Sequence, residues 1–208
     1  MKALLYKDLV QAKATYLLLL LVAGAVGIYA VSQGHPLLIP ALFVYLPVLA
    51  NGISFGGEAQ AGTGKFIFTT PISRSTYVWS KYMLTLVLAL LAAIATVIIL
   101  RGDGKPRSFI ILLASLAFFV PVFFSAIQIP FILKFGAEKG RILMVITYFL
   151  LFLASSFFSS HRQVLVQQLN DWTTHQPYLL SGGLLLLAVV LLFLSVGIGQ
   201  QLMKQHEY

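Results

Sequence analysis

Long apolar stretches separated by short polar breaks dominate this chain. From Ala14 to Gly57 no Asp, Glu, Lys or Arg occurs over 44 residues, about twice the ~20 residues that one membrane-crossing helix needs. The run breaks at Ser32-Gln33-Gly34-His35-Pro36, where Gly and Pro end one helix and permit the next. Further charge-free runs are Tyr82–Leu100, Ser108–Leu133, Ile142–Ser160 and Trp172–Met203. The pattern predicts an all-α integral membrane protein, one domain over 1–208, with six transmembrane helices near 14–32, 37–56, 78–100, 108–133, 141–159 and 178–202.

The N-terminus has a rival reading as a cleaved signal peptide. Such a leader carries an apolar core of about 7–15 residues, and the 18 residues from Ala14 to Val31 favour a retained first span. In Met1–Lys13, Leu5/Leu9 and Tyr6/Val10 recur at i,i+4, with Lys7, Asp8 and Gln11 on another side. That spacing suits a helix lying in the membrane interface; a short solvated leader is the alternative.

Composition sharpens the picture. Only 10% of the 208 residues are charged and 59% are hydrophobic, against about 25% charged in soluble domains. A water-solvated enzyme and a self-contained nucleotide-hydrolysing domain are both excluded. The absence of cysteine removes thiolate metal sites and cysteine nucleophiles. A net charge of +8 suggests nucleic acid at first sight, but the basic residues are spread through loops and form no stripe. With six spans, both termini lie on one side, together with Lys2, Lys7, Lys13, Lys65, Arg74, Lys81, Lys134, Lys139, Arg141 and Lys204. The other side holds only Arg101, Lys105, Arg107 and Arg162. Positive residues concentrate on the cytoplasmic side, so both termini are expected in the cytoplasm.

The longest cytoplasmic connection is 57–77. Thr70 before Pro71 reads as an N-cap and first helical position; alternatively Ser73 begins the helix. Tyr77, Trp79, Lys81 and Tyr82 mark the interface, where a lysine can snorkel. Phe66, Ile67 and Phe68 put apolar surface beside charge, which fits either a contact surface for a partner or a segment lying back on the bilayer.

Two motifs tempt and fail. Ala59-Gln60-Ala61-Gly62-Thr63-Gly64-Lys65-Phe66 has the Gly-Lys of a phosphate loop but lacks its first glycine and its Ser/Thr. Gly52-Ile53-Ser54-Phe55-Gly56 satisfies G-x-S-x-G, yet the hydrolase turn needs a strand before a helix. His35, His161 and His175 would lie about 30 Å away across the hydrocarbon, and His206 sits in a polar tail. Small residues easing helix packing account better for this stretch. No charged residue lies mid-span, which weighs against ion-coupled transport. The spans offer instead Asn51 and Gln128, a fourth helix interrupted by Pro121 and Pro130, and small pairs Ala23/Gly27 and Ala89/Ala93 that allow close packing.

Glu58 followed by Phe68-Thr69-Thr70-Pro71-Ile72-Ser73-Arg74-Ser75-Thr76-Tyr77-Val78-Trp79-Ser80-Lys81-Tyr82 resembles the segment between the second and third spans of type-2 ABC exporter permeases, with Thr70 where that family usually has leucine. Pro130-Phe131-Ile132-Leu133-Lys134-Phe135-Gly136-Ala137-Glu138-Lys139-Gly140-Arg141 is similar to the fourth-to-fifth span junction of compact six-span permeases, those of phenol-soluble modulin and bacteriocin exporters. The resemblance implies a non-enzymatic permease that pairs as a homodimer or heterodimer and is driven by two copies of a separate ABC ATPase, which binds the ATP and magnesium. It implies an elbow helix over 1–13, a coupling helix within 57–70, and an external or re-entrant segment over 160–177. Glu58, Lys65, Phe66, Pro71 and Arg74 would then form the ATPase-coupling set, with Arg74 pairing to an acid of the ATPase or elbow helix or else anchoring lipid phosphate. Catalytic, cofactor and metal sites are expected to be absent. The expected cargo is an amphipathic or hydrophobic peptide. An accessory or immunity membrane protein without ATPase coupling is the alternative.

Overall fold

The computed structural model describes residues 38–60, 73–101, 106–160, 176 and 178–205, together with residues 6, 7, 10, 13, 17, 21 and 25, which are all helical. Five helices result: α1 (Leu38–Gln60), α2 (Arg74–Arg101), α3 (Arg107–Phe135), α4 (Ala137–Ser160) and α5 (Leu179–Gln205). The described residues contain no strand. Three helices are long and apolar enough to cross a membrane: Arg74–Arg101, Arg107–Phe135 and Leu179–Lys204. At 1.5 Å per residue a 28-residue helix such as α2 is about 42 Å long and outreaches a hydrocarbon core of about 30 Å, so its ends carry polar side chains. The expected first span, elbow helix and 160–177 segment fall largely outside the described residues.

Helix α3 is the hub and packs against all four others. Its buried Val122, Ile129 and Ile132 meet Phe55 of α1, Tyr77, Val78, Tyr82 and Ala89 of α2, and Ala188, Leu192, Val196 and Met203 of α5. Polar residues are buried beside them, including Asn51, Ser54, Thr85, Ser125 and Gln128, while Val87, Leu90 and Ile98 of α2, Phe149 of α4 and Phe193 of α5 face outward. Large apolar groups outside and polar groups inside is the arrangement that a hydrocarbon solvent favours, because a buried donor or acceptor must find its partner within the protein. Hydroxyls inside the helices follow the same rule: Thr96 donates to Ala92 O, Ser115 to Ile111 O and Thr147 to Leu143 O, each at 2.8 Å.

One expectation changes and one alternative is decided. Residues 134–141 read as a loop because of their charges, yet Gly136 alone separates α3 from α4. Its φ of +86° is open to glycine at no steric cost, and its N–H bonds Ile132 O at 2.8 Å. Four residues on, Gly140 lets α4 cross close to α3, since a Cβ there would stand 2.5 Å from Ile132 Cγ1. Of the two starts open to the helix after the 57–77 connection, the later one is taken: it begins at Arg74, with Ser73 as its N-cap. The Thr76 N–H donates to Ser73 Oγ at 3.1 Å, satisfying one of the free donors of the first turn.

Proline within α3 has a visible repair. Pro130 has no N–H to give Ala126 O, its i−4 carbonyl. Ser195 Oγ of α5 donates to that carbonyl, and Tyr82 of α2 hydrogen-bonds Ser195 in turn. One interrupted backbone bond thus ties three helices together.

Candidate functional site

The C-terminal end of α1, the N-terminal end of α2 and the C-terminal end of α5 converge at one end of the bundle. On α1, Asn51, Ser54 and Glu58 follow each other at helical spacing, which places them along one face. On α2, Tyr77, Lys81 and Thr85 do the same. The two rows interlock. Lys81 Nζ donates to Glu58 Oε1 at 2.7 Å and to Ser54 Oγ at 2.6 Å, and Tyr77 Oη donates to Glu58 Oε2 at 2.6 Å. Lys7 also donates to Glu58 Oε1, tying the N-terminal segment to the same carboxylate. Lys81 is 1% exposed and Glu58 5%, and the ammonium lies 5.0 Å from the Phe55 ring centroid and 5.3 Å from that of Tyr77.

Isolated charges do not survive at such burial. Burial by itself pushes the Glu58 carboxyl up, but the Lys81 charge and the hydrogen bonds from Lys7, Lys81 and Tyr77 outweigh it and hold the group below the ordinary carboxylate range. The cluster is an ionised, hydrogen-bonded clasp between α1 and α2.

One turn deeper the interactions become neutral. Asn51 Nδ2 donates to Thr85 Oγ1 at 2.8 Å and to Ser125 Oγ at 2.9 Å, joining α1, α2 and α3. A second tie closes the end of the bundle. Arg74 Nη1 donates to Met203 O at 2.9 Å and Lys204 O at 3.2 Å, two carbonyls of the last turn of α5 that have no helical donor, and a cation is favoured at that helix terminus. Beside it Gln200 Nε2 donates to Ser75 Oγ at 3.0 Å.

Of the expected coupling residues, Glu58 is buried within the bundle and Arg74 caps α5, whereas Lys65, Phe66 and Pro71 lie outside the described residues. Helix α1 continues through Gln60, so the first four residues of the 57–70 segment extend a helix. Among the described residues the Arg74 guanidinium meets the backbone carbonyls of Met203 and Lys204; an acid of the ATPase or of the elbow helix, its expected partner, lies outside them. Lys81, read as a snorkelling interfacial lysine, points inward instead, because an acid on the neighbouring helix outbids water. Ser54, read as a small packing residue, is a polar partner of that lysine. Tyr77, Lys81 and Ser54 were the residues missed; their i,i+4 spacing opposite Ser54 and Glu58 was the available signal. Chemically, Ser54 accepts a hydrogen bond from an ammonium engaged with a carboxylate, whereas a nucleophilic serine must donate its own to a base.

Glu58 and Arg74, on either side of residues 61–72, are thereby bonded into the bundle. A family model described as ABC-2 family transporter protein matches residues 3–204. No match is found among curated proteins or among solved structures.

Proposed function

Because the chain belongs to the ABC-2 family of transporter proteins, and is thus a membrane permease subunit of a family that works with a separate ABC ATPase, we propose that segment 61–72 is the handle by which that ATPase moves it and that its cargo is an amphipathic peptide exported from a bacterial cell. The observation that carries this reading is the clasp: both ends of the segment are fixed to α1 and α2, and those helices are locked to each other by Glu58, Lys81 and Tyr77. A push on 61–72 is therefore delivered to two helices at once. Lys65, Phe66 and Pro71 meet the ATPase; Glu58 and Arg74 position the segment from behind.

In the working complex two permease copies, identical or sisters, stand on two ATPase subunits, which bind ATP and magnesium. Closure of the ATPase pair swings the bundle between inward- and outward-facing states, a shift between two discrete packings. Both termini and the 61–72 segment face the cytoplasm, on the side richer in Lys and Arg. The interior beyond Lys81 offers neutral polar groups among apolar ones, which suits a peptide with both kinds of side chain.

The test is recovery of the ATPase. A tagged chain solubilised from its own membrane should bring down a protein that hydrolyses ATP, and a Lys65→Glu, Phe66→Ala double change should reduce that recovery by about tenfold, or about 1.4 kcal/mol, with the permease still folded. Recovery untouched by the double change would refute the handle. Membrane insertion with no ATPase recovered at all would favour the accessory or immunity protein.

A further inference from the structure

Gln128 is 1% exposed, and neither its Nε2 nor its Oε1 has a hydrogen-bond partner among the described residues. It is the only such side chain among the described residues. It sits on α3 three residues beyond Ser125, hence on the same face, and buried Pro121 and Ile132 continue that face on either side. Ser125 is the residue through which Asn51 of α1 reaches α3. An unmet amide in a packed interior costs about 1–3 kcal/mol for each polar group left without a partner.

We infer that Gln128 is a gate residue of the transport pathway, shut in the conformation described and wetted when α1 and α3 separate. The inference rests on the transporter reading above and goes beyond it by naming where the pathway opens. Two observations point to the α1–α3 seam. The first is the contrast in how it is held. Glu58 and Lys81 clasp α1 to α2 with a buried charge pair, while the side-chain bond from α1 to α3 is the neutral one from Asn51 to Ser125. Neutral bonds contribute about 0.5–1.5 kcal/mol net and charged ones about 1.5–3, so the seam parts before the clasp does. The second is α3 itself: Pro121 and Pro130 flank Gln128, and each removes an i→i−4 bond, leaving the stretch between them the easiest part of the helix to bend. Opening relieves the amide, which then meets water and the backbone amides of a peptide, groups that match its one donor and one acceptor face. The unmet amide is a bias toward opening stored in the closed state.

The chain contains no cysteine, so a single introduced thiol is an unambiguous reporter. Gln128→Cys and, separately, Ser125→Cys are made in the full-length chain, purified with the ATPase that accompanies it, and treated with a charged, membrane-impermeant thiol reagent. Ser73→Cys, at an exposed position, reports full access. In the nucleotide-free complex the thiols at 125 and 128 should react at least about tenfold more slowly than the one at 73, since an open state populated at 10% or less protects by that factor. ATP with vanadate should bring them to within about threefold of it. A third variant, Gln128→Leu, separates gating from packing. It removes the unmet amide, so the thermal midpoint rises, while peptide-stimulated ATP turnover falls. A midpoint that rises with turnover unchanged makes Gln128 a packing defect and overturns the gate. Thiols that stay protected in every nucleotide state of a complex that still turns over ATP and exports peptide overturn it equally, with the transporter reading intact. Failure of any ATPase to accompany the wild-type chain removes the transporter reading, and the gate with it.

Discussion

Lys81→Met puts the clasp to its most direct test. The substitution keeps the length of the stem and deletes the ammonium, whose site is 1% exposed. Glu58, with its side chain at 6%, keeps Tyr77 and Lys7 but loses its buried counter-charge, and Ser54 loses its donor. Breaking a buried pair by removing one partner costs about 3–5 kcal/mol. For a domain of this size each kcal/mol moves the thermal midpoint by about 2–4 °C, so the variant should melt roughly 6–20 °C lower in detergent or nanodiscs, with wild type and variant compared at one scan rate. The partner change Glu58→Gln should cost a comparable amount. The double variant leaves no buried charge, and it should be less destabilised than the two single changes added together, by 0.5–3 kcal/mol or about that order. A Lys81→Met loss within about 1 kcal/mol, the value of an exposed ion pair, would show that the ammonium is solvated and the clasp is not the lock described. So would strictly additive effects in the double variant.

The remaining expectations are local. Because the Glu58 carboxyl is held below its ordinary value of 4.5 in the folded chain, the unfolded chain binds the proton more readily. The clasp's contribution is therefore complete above about pH 4.5 and is lost as pH falls through the lower folded value; the midpoint should be level from pH 8 to 5, fall in stronger acid, and fall less steeply in Glu58→Gln. Gly140→Ala drives a methyl into Ile132 and should cost about 1–3 kcal/mol, with Ile132→Ala less harmful in that background than in wild type. Ser195→Ala strips the donor from Ala126 O and should cost about 1–3 kcal/mol, partly recovered by Pro130→Ala, which restores the helical N–H.

The helical bundle was readable in the chain because membrane spans announce themselves by what they lack. The expected spans 78–100, 108–133 and 178–202 became Arg74–Arg101, Arg107–Phe135 and Leu179–Gln205. Each helix overruns its expected span at one or both ends, since a helix continues through the interface after the charges resume. That same overrun explains the misread loop at 134–141: Lys134 and Glu138 belong to helix ends, and charge marks the edge of the hydrocarbon, not the edge of the helix. The site was only half legible. Glu58 and Arg74 stood out as charges beside apolar spans, but their partners depend on the register between antiparallel helices. That register brings Lys81 opposite Glu58 and Ser54, and Arg74 against the last carbonyls of α5. No local pattern encodes such an alignment; packing of Phe55, Tyr77 and Val78 against α3 and α5 sets it.

The distribution of polar contacts also decides what moves as a unit. From Glu58 to Asn51 is seven residues, about 10 Å along α1, and over that length the contacts pass from a charge pair to neutral hydrogen bonds. Within the α1–α2 pair Tyr77, Lys81 and Thr85 each have a side-chain partner on α1, charged at the end of the row. Across to α3 and α5 the ties among the described residues are hydrogen bonds without a counter-charge: Asn51 and Thr85 to Ser125, Tyr82 to Ser195, Gln200 to Ser75, and the Arg74 guanidinium to two carbonyls. Force applied between Gln60 and Ser73 therefore displaces α1 and α2 together, because separating them means stranding a carboxylate in the interior. The same force can slide that pair along α3 and α5 at the cost of hydrogen bonds that contribute about 0.5–1.5 kcal/mol each where neutral and about 1.5–3 where Arg74 donates. A rigid hairpin on a yielding seam is what converts a push at one end of a bundle into an opening further inside it.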